Sequence, residues 1–586
     1  MVFIFFMVTH TVINYTDIYF GPKPTKEELL LGINSKIVVV LMAMINSELH
    51  STADPFETQR HITAFITQRF PQHERNELNN GLNLFQKKIS EPFVIWGKRY
   101  VLEFMKYEFL NYREGESVES TPEEEVKIFK AYLLVCEEVN EKDRQELAKT
   151  MDDLQENPDM FFEKLVWPFV LKQFSTNNQV NPVFQFIKLL GLIKYSITNR
   201  ELLASWKEFI SINGFTNLRE YLGSVFFLIK TTQRNSLNDP LFKVFSWINA
   251  KELPKHLLNL SFYVNDFKNN EEKRVDFKGL REKPLFESNQ NEFVILDLDY
   301  LNNKIYNGPL FDMYYQTNMA SKTKFKKFPD FKNYIGTNVS ENIVFKGIVK
   351  KLFNKVHIQL HFDDEKKDNH PDCYIRSGNK IFLIEFKDYL FPGKIVDEYS
   401  FEKIKEHLDL KFIMNERGSN KGISQIVEQL KIIRTTKFDF DKFSHSNITI
   451  YPIIIHTNFT YQMPGVNYYL NQKLQSKLDD ELPNFVYNVK KLVLIDLESL
   501  FEFLNLKKIN LKVFESFLDR YEQILTDRSK RFISNPNQTN FVRARSSFDE
   551  IYKTIINKEN ELQAENNRIR LLLDVVGADE ELLNSF

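Results

Sequence analysis

The chain has 586 residues, too many for one hydrophobic core, so two to four domains are expected. Its apolar fraction of 43% and its 54 Phe supply core material of a soluble kind, and its net charge of −2 excludes a polycation, so any nucleic-acid contact must come from local basic patches. The two cysteines, Cys136 and Cys373, lie far apart, which excludes a disulfide framework or a Cys-based zinc site and fits a reducing cytoplasm.

The apolar start, Met1 to Val8, lacks a basic flank and a cleavage site and is too short to span a bilayer. A buried strand or a mis-set start codon is expected there. No other run is long and apolar enough for a transmembrane segment, so the reading is cytoplasmic with no membrane partner. From Pro24 to Val264 the pattern is helical. Thr25 caps Lys26-Glu-Glu-Leu-Leu, and Thr121-Pro122-Glu-Glu-Glu opens a helix carrying Val126, Phe129, Leu133 and Cys136 on one side. Asn181-Pro182 and Asn238-Asp239-Pro240 read as similar starts. Trp96, Tyr100, Phe104, Tyr107 and Tyr112 fall near helical spacing; a core stripe and a ligand surface both fit, the core reading being the ordinary one. Residues 1–265 are therefore expected to form a helical region for recognition, sensing or partner binding.

The polar run from Asp266 to Arg274 reads as a linker, so 266–330 is expected to be linker plus a lead-in strand (from Glu292) and a short helix (Phe311 to Tyr315). Next, Lys322, Lys324, Lys326 and Lys327 interleave with Phe325 and Phe328, a pattern suited to a phosphate backbone and equally to a solvated lead-in. A helix from Ser340 to Phe353 carries Ile343, Val344, Ile348 and Leu352, with Glu341 in its first turn, and a strand from Val356 to Leu360 follows.

The next stretch carries the chemistry. Cys373 to Ile375 and Ile381 to Phe386 read as two strands, with Gly378-Asn379 as a two-residue hairpin loop. That loop pairs Ser377 with Lys380 and places Asp372 opposite Glu385, on one sheet face. Lys387, two residues on, points to the same face. Two carboxylates so placed repel unless a cation lies between them, and Mg²⁺ is typically held by one or two carboxylates plus substrate phosphate. A charged surface hairpin is the plain alternative. Beyond it come a helix (Phe401 to Phe412), a glycine-containing loop (Arg417 to Gly422), a helix (Ile423 to Ile433), strands at Ile448 to His456 and Leu492 to Ile495, a short helix (Leu497 to Phe503) and a helical tail.

Pro371-Asp372 followed by Glu385-Phe386-Lys387 resembles the PD-(D/E)xK nuclease motif, and the order helix, strand, Pro-Asp strand, Glu-x-Lys strand, helix, strand resembles the restriction-endonuclease-like core over about Gly336 to His456. The resemblance implies an α/β nuclease domain (331–510) with a mixed sheet flanked by helices; length and helical patterning make the chain multi-domain, with a mostly α-helical N-terminal region before it and a helical C-terminal region (511–586) after it. It implies Asp372 and Glu385 as catalytic metal ligands, Lys387 as catalytic lysine, the Phe386 carbonyl as a further ligand and Mg²⁺ as cofactor, with Mn²⁺ as substitute. Glu341 matches a helix glutamate that reaches the metal in that family; a dipole-favoured helix acid is the equal alternative. Gln425, with Gln429 one turn on, matches a glutamine of some branches.

The activity so implied is Mg²⁺-dependent endonucleolytic hydrolysis of nucleic acid, DNA by family analogy, in prokaryotic anti-phage or genome defence, with the N-terminal region sensing a protein or phage trigger. A sequence-specific restriction endonuclease is the second enzyme reading, and a non-catalytic nucleic-acid-binding scaffold the non-enzyme one. Finally, Phe548, Ile551, Ile555, Leu562, Ile569, Leu572 and Val576 occupy a and d positions of one heptad frame, interrupted by Lys558 and Glu565. A homodimer through this helix and a lone helix docked on its own domain are the two readings.

Overall fold

The computed structural model describes residues 11–51, 55–89, 93–115, 119–151, 164, 167–173, 176, 180–233, 247–249, 259–271, 277–289, 292–363, 367, 369–435, 438–443, 447–506, 509–559 and 573–577. The apolar start, the helix start expected at Asn238 and the heptad positions Leu562, Glu565, Ile569 and Leu572 lie outside them. The protein is mostly helical, at 66% helix, so the mixed sheets stand out as the places where side chains can be held at a fixed register. Among the described residues no helix is long and apolar enough to cross a membrane.

The N-terminal helices form where their caps place them. Thr25 and Glu28 make a reciprocal capping box, Thr121 and Glu124 make another, and Asn181 accepts from Val183 and Phe184 at the start of α1 (Pro182–Thr198). Trp96, Tyr100 and Phe104 are buried, and Tyr107 and Tyr112 half-buried, so the aromatic stripe is core. That core gathers residues 12–136 with Phe262, Phe267, Phe277, Phe286 and Tyr300. The expected linker at 266 thus begins as a helix, Val264–Asn269, whose Phe267 packs inward against Phe109. The polar run hid one aromatic anchor. By contrast, α1 shares its core with the six-stranded sheet downstream, so buried packing cuts across the expected boundary at 265.

That sheet positions the motif. Its strands are β1 (Gln359–Phe362), β2 (Cys373–Ser377), β3 (Lys380–Lys387), β4 (Thr449–His456), β5 (Asn488–Val489) and β6 (Val493–Asp496). The order is β5-β4-β3-β2-β1, with β6 also pairing β4. β1, β2 and β3 are antiparallel neighbours; β3, β4, β5 and β6 run parallel. β3 and β4 are near-continuous apolar runs because both faces are covered. On one face Phe382, Ile384, Phe386, Ile453 and Ile455 pack with α1, with α2 (Lys346–Phe353) and with the C-terminal helices. On the other, Ile381, Leu383, Ile450, Ile454 and Leu494 pack under α3 (Phe401–Phe412) and α4 (Gly422–Thr435). The first strand starts three residues later than expected; Val356, apolar in sequence, is fully exposed.

Two further departures matter. The helix expected from Ser340 begins at Phe328 and passes through a π-helical stretch, Gly336–Phe345, before α2. Gly336 does not break it because the glycine lies against Asp388, where a Cβ would come within 2.9 Å of the carboxylate. The C-terminal region folds back as α5 (Leu511–Ser534) and α6 (Phe548–Glu559). Phe548, Ile551 and Ile555 are buried in the core shared with the sheet, and Phe548 and Tyr552 stack near Phe503. These seam positions are filled by the chain itself, which supports the docked-helix reading over an intermolecular one.

Candidate active site

The hairpin forms with the expected register: Ser377 pairs Lys380 and Cys373 pairs Ile384, across a loop in which Gly378 takes a φ of 60°. Asp372 sits just before β2. Its Oδ2 accepts the backbone N–H of Phe386 at 2.7 Å, which locks the carboxylate over β3. Glu385 and Lys387 alternate with core residues on the α4 side of the sheet. Lys387 Nζ reaches Glu385 Oε2 at 2.7 Å and Asp372 Oδ2 at 3.5 Å. One ammonium therefore lies between two carboxylates, with Glu385 fully buried and Lys387 nearly so.

The electrostatics follow from that count. Burial and then the neighbouring Asp372 charge push the Glu385 carboxyl up to about 7, against the pull of Lys387 and Gln429. Burial works against the charged form of Lys387, but Glu385 and Asp372 outweigh it and keep the amine protonated. With both acids ionised the three groups carry a surplus negative charge in a water-poor place. The donors are hard oxygens, two carboxylates on one face, a set that fits Mg²⁺ or Mn²⁺ completed by substrate and water.

Gln429, on α4, donates from Nε2 to Glu385 Oε1 at 2.5 Å. The glutamine that meets the acid is thus one turn beyond Gln425, whose Oε1 is buried without a hydrogen-bond partner. Helix phase explains the difference: only the later turn of α4 stands over Glu385.

Glu341 is buried on the π-helical stretch, whose apolar side chains pack on the opposite sheet face; Phe345 stacks on Phe386 with centroids 5.0 Å apart. It is not drawn into a ligand set with Asp372 and Glu385, for among the described residues no three His, Cys, Asp or Glu side chains gather as a metal site. The Phe386 side chain is core, leaving only its backbone for the expected ligand role.

The lysine-rich segment alternates exposed lysines with inward aromatics and leads into the helix that starts at Phe328, in keeping with a solvated lead-in. Lys324, Lys326 and Lys327 are exposed, whereas Phe325 is buried against Phe331 and Tyr334, and Phe328 packs on Phe311. The aromatics serve the core and offer no stacking platform. Lys322 ends a short helix, Met319–Lys322.

Sequence reasoning missed a second polar layer. Asp388, directly after Lys387, accepts from Lys332 at 2.6 Å and from Thr457 at 2.5 Å on the other face. Burial opposes its charge, but Lys332 and Thr457 hold its pKa down. It also missed Tyr389, Lys411 and Lys421 around the acid pair; Tyr389, two residues past Lys387, was legible from strand parity alone. A cavity of about 280 Å³ opens beside the start of β4, lined by Tyr451, Lys490, Tyr521 and Glu522 among others. The motif lies at the other end of that strand region, so this cavity is not its substrate cleft. Comparison of the chain with protein-family models, with curated proteins and with solved structures found no match.

Proposed function

We propose that the protein is a divalent-metal-dependent nuclease of PD-(D/E)xK type, hydrolysing phosphodiester bonds of nucleic acid, DNA before RNA by analogy. The observation that carries the reading is the convergence of Asp372, Glu385 and Lys387, from two strands of one hairpin, with Lys387 bridging both acids. A surface hairpin would leave these groups solvated; here Glu385 and Lys387 are buried and Asp372 is largely so, and such a cost is typical of functional sites. Asp372, Glu385 and the Phe386 carbonyl would hold Mg²⁺. A bound dication supplies Lewis-acid polarisation of a phosphoryl oxygen and an acidified water.

The chain's own residues do the rest. The Phe386 N–H and Gln429 Nε2 fix the two carboxylates in place. Lys387, permanently protonated, offers a positive charge where negative charge grows on the phosphate, the kind of fixed charge that acts mainly in the transition state. Glu385 must lose its proton before it can serve as a ligand, so activity rises with pH through the neutral range.

The test is incubation of the purified chain with supercoiled plasmid, linear DNA and RNA, in Mg²⁺ or EDTA. Nicking or degradation in Mg²⁺ alone, lost in Lys387→Ala, is the expected result. Discrete reproducible fragments would favour a restriction enzyme. Binding without cleavage of any substrate in Mg²⁺ or Mn²⁺ would leave the scaffold reading standing and remove the nuclease one.

A further inference from the structure

We infer that Lys421, with Lys411 and Gln425 beside it, binds a backbone phosphate of the nucleic acid next to the phosphate held at Asp372, Glu385 and Lys387. This rests on the nuclease reading and extends it to how the strand is held. The loop Arg417 to Gly422 has no role in the site described above, yet it delivers Lys421 to the start of α4. The loop closes on itself: Met414 bridges Asn420, Asn415 Oδ1 accepts from Arg417 and Ser419, and Lys421 N–H donates to the Ile413 carbonyl at 2.9 Å. The Lys421 carbonyl then accepts the first bonds of the helix, from Ser424 and Gln425. Lys421 is therefore fixed at its backbone.

Gln425 and Gln429, four residues apart, share one face of α4 about 6 Å apart along its axis, and Lys421 precedes the helix at Gly422, whose φ of 30° sets it against Ile454, the cross-strand neighbour of Glu385. Gln429 is bonded to Glu385, and Lys421 is half-buried and close enough to feel Lys387, Lys411, Glu385 and Asp372. Between them stands Gln425, half-buried, with a side-chain oxygen that makes no hydrogen bond. Burial first, then the Lys387 and Lys411 charges, disfavour the protonated form of Lys421. Lys411, at the end of α3, lies over the Tyr389 ring with Nζ 5.2 Å from the centroid. Among the described residues neither Lys411 nor Lys421 makes an ion pair with a carboxylate, since the site's own acids are taken by Lys387.

Lys411 and Lys421 thus stand beside the acid pair with no direct ion pair of their own, so once a dication neutralises the acids their charges are left for an anion. The anion that this site must also accommodate is the polyphosphate backbone of its substrate. A neutral ligand or a lone carboxylate would not use the run of polar groups from Gln429 to Lys421; a strand of phosphates would.

The test is fluorescence anisotropy of a labelled DNA oligonucleotide in EDTA over a range of salt, together with steady-state cleavage in Mg²⁺, for wild type, Lys421→Gln and Lys421→Arg. One lost phosphate contact should make the slope of log K against log salt shallower by about 0.7–0.9. Binding in Lys421→Gln should weaken about tenfold, the size of one charge-assisted hydrogen bond, and KM should rise with kcat nearly unchanged. Lys421→Arg should keep the wild-type slope. A wild-type protein that binds and cuts, with a Lys421→Gln variant of unchanged slope and KM, would overturn this inference and leave the nuclease reading intact. A wild-type protein that cuts nothing would overturn both.

Discussion

Removing the Lys387 ammonium should destabilise the protein as well as silence it. At 2.7 Å the pair with Glu385 attracts by about 6 kcal/mol at an effective dielectric constant near 20. Desolvation of both ions offsets most of that, so the intact pair is worth little net. Breaking it is different. Lys387→Ala leaves Glu385 fully buried, facing Asp372, with only Gln429 as a donor, and loss of one partner of a buried pair costs about 3–5 kcal/mol. At about 2–4 °C per kcal/mol for a folding unit of 150–250 residues, Tm should fall by about 6–20 °C at pH 8. The deficit should shrink at pH 5, where Glu385 takes up a proton and no longer needs a cation. Added Mg²⁺ should restore more Tm to Lys387→Ala than to wild type, because a dication replaces the missing charge between the acids. Differential scanning calorimetry at both pH values, with and without Mg²⁺, reads all three effects. A variant that melts like wild type at pH 8, or that ignores Mg²⁺, would refute both the buried pair and the ligand role of the acids.

Glu385→Gln should flatten the pH dependence of stability. The native carboxyl holds its proton up to about 7, against 4.5 when unperturbed, so the native state is favoured at acid pH and loses that advantage as pH rises from about 4.5 to 7, by about 3 kcal/mol; urea titrations should show this loss in wild type and not in the variant. Gln429→Ala should cost about 1–3 kcal/mol by leaving Glu385 Oε1 without its donor, whereas Gln425→Ala should stay within about 0.5 kcal/mol; equal effects on the urea midpoint would contradict the helix phase seen here. Deleting 548–586 removes the buried Phe548, Ile551, Tyr552 and Ile555, worth about 6–12 kcal/mol at about 1.5–3 kcal/mol each, so the shortened chain should unfold or aggregate; a well-folded monomer that nicks plasmid, seen by light scattering and agarose gel, would restore the dimer reading.

The hairpin was legible because its information is local. A two-residue loop sets the register, the register sets the parity, and parity alone puts Asp372, Glu385 and Lys387 on one face. Burial of that face was not legible. Nothing within the hairpin says that α4, some forty residues on, will cover Glu385 and bring Gln429 to it. The same limit separates Gln425 from Gln429: both sit on the same run of helix, and only the packing of α4 on β3 chooses between them. The lysine-rich lead-in was ambiguous for the same reason: interleaved Lys and Phe fit a binding strip and a solvated approach to a helix alike, and only tertiary packing turns Phe325 and Phe328 into the core ahead of the helix at Phe328. The tail was ambiguous for a similar reason, since a heptad pattern describes any amphipathic helix, whether its partner is another chain or, as for the described α6, Phe503 and Phe517 of its own.

The packing of the N-terminal helices bears on how such a site could be governed. α1 lies beyond the N-terminal core, against the π-helical stretch that carries Glu341, where Gly191 admits Val339 and Val344 within van der Waals contact. One turn before that glycine, Lys188 is buried with its amine 4.2 Å from the Tyr306 ring centroid, and burial holds its pKa down to about 8 despite the nearby Asp388 charge. Asp388 is in turn bonded to Lys332 and directly follows Lys387. Lys188 of α1 and Lys332 of the helix Phe328–Ile335 thus both bear on Asp388 at the end of β3, Lys332 through a hydrogen bond and Lys188 through its charge alone. A shift of α1 would move the Lys188 charge away from Asp388, while Lys332 and Thr457 would keep that carboxylate paired.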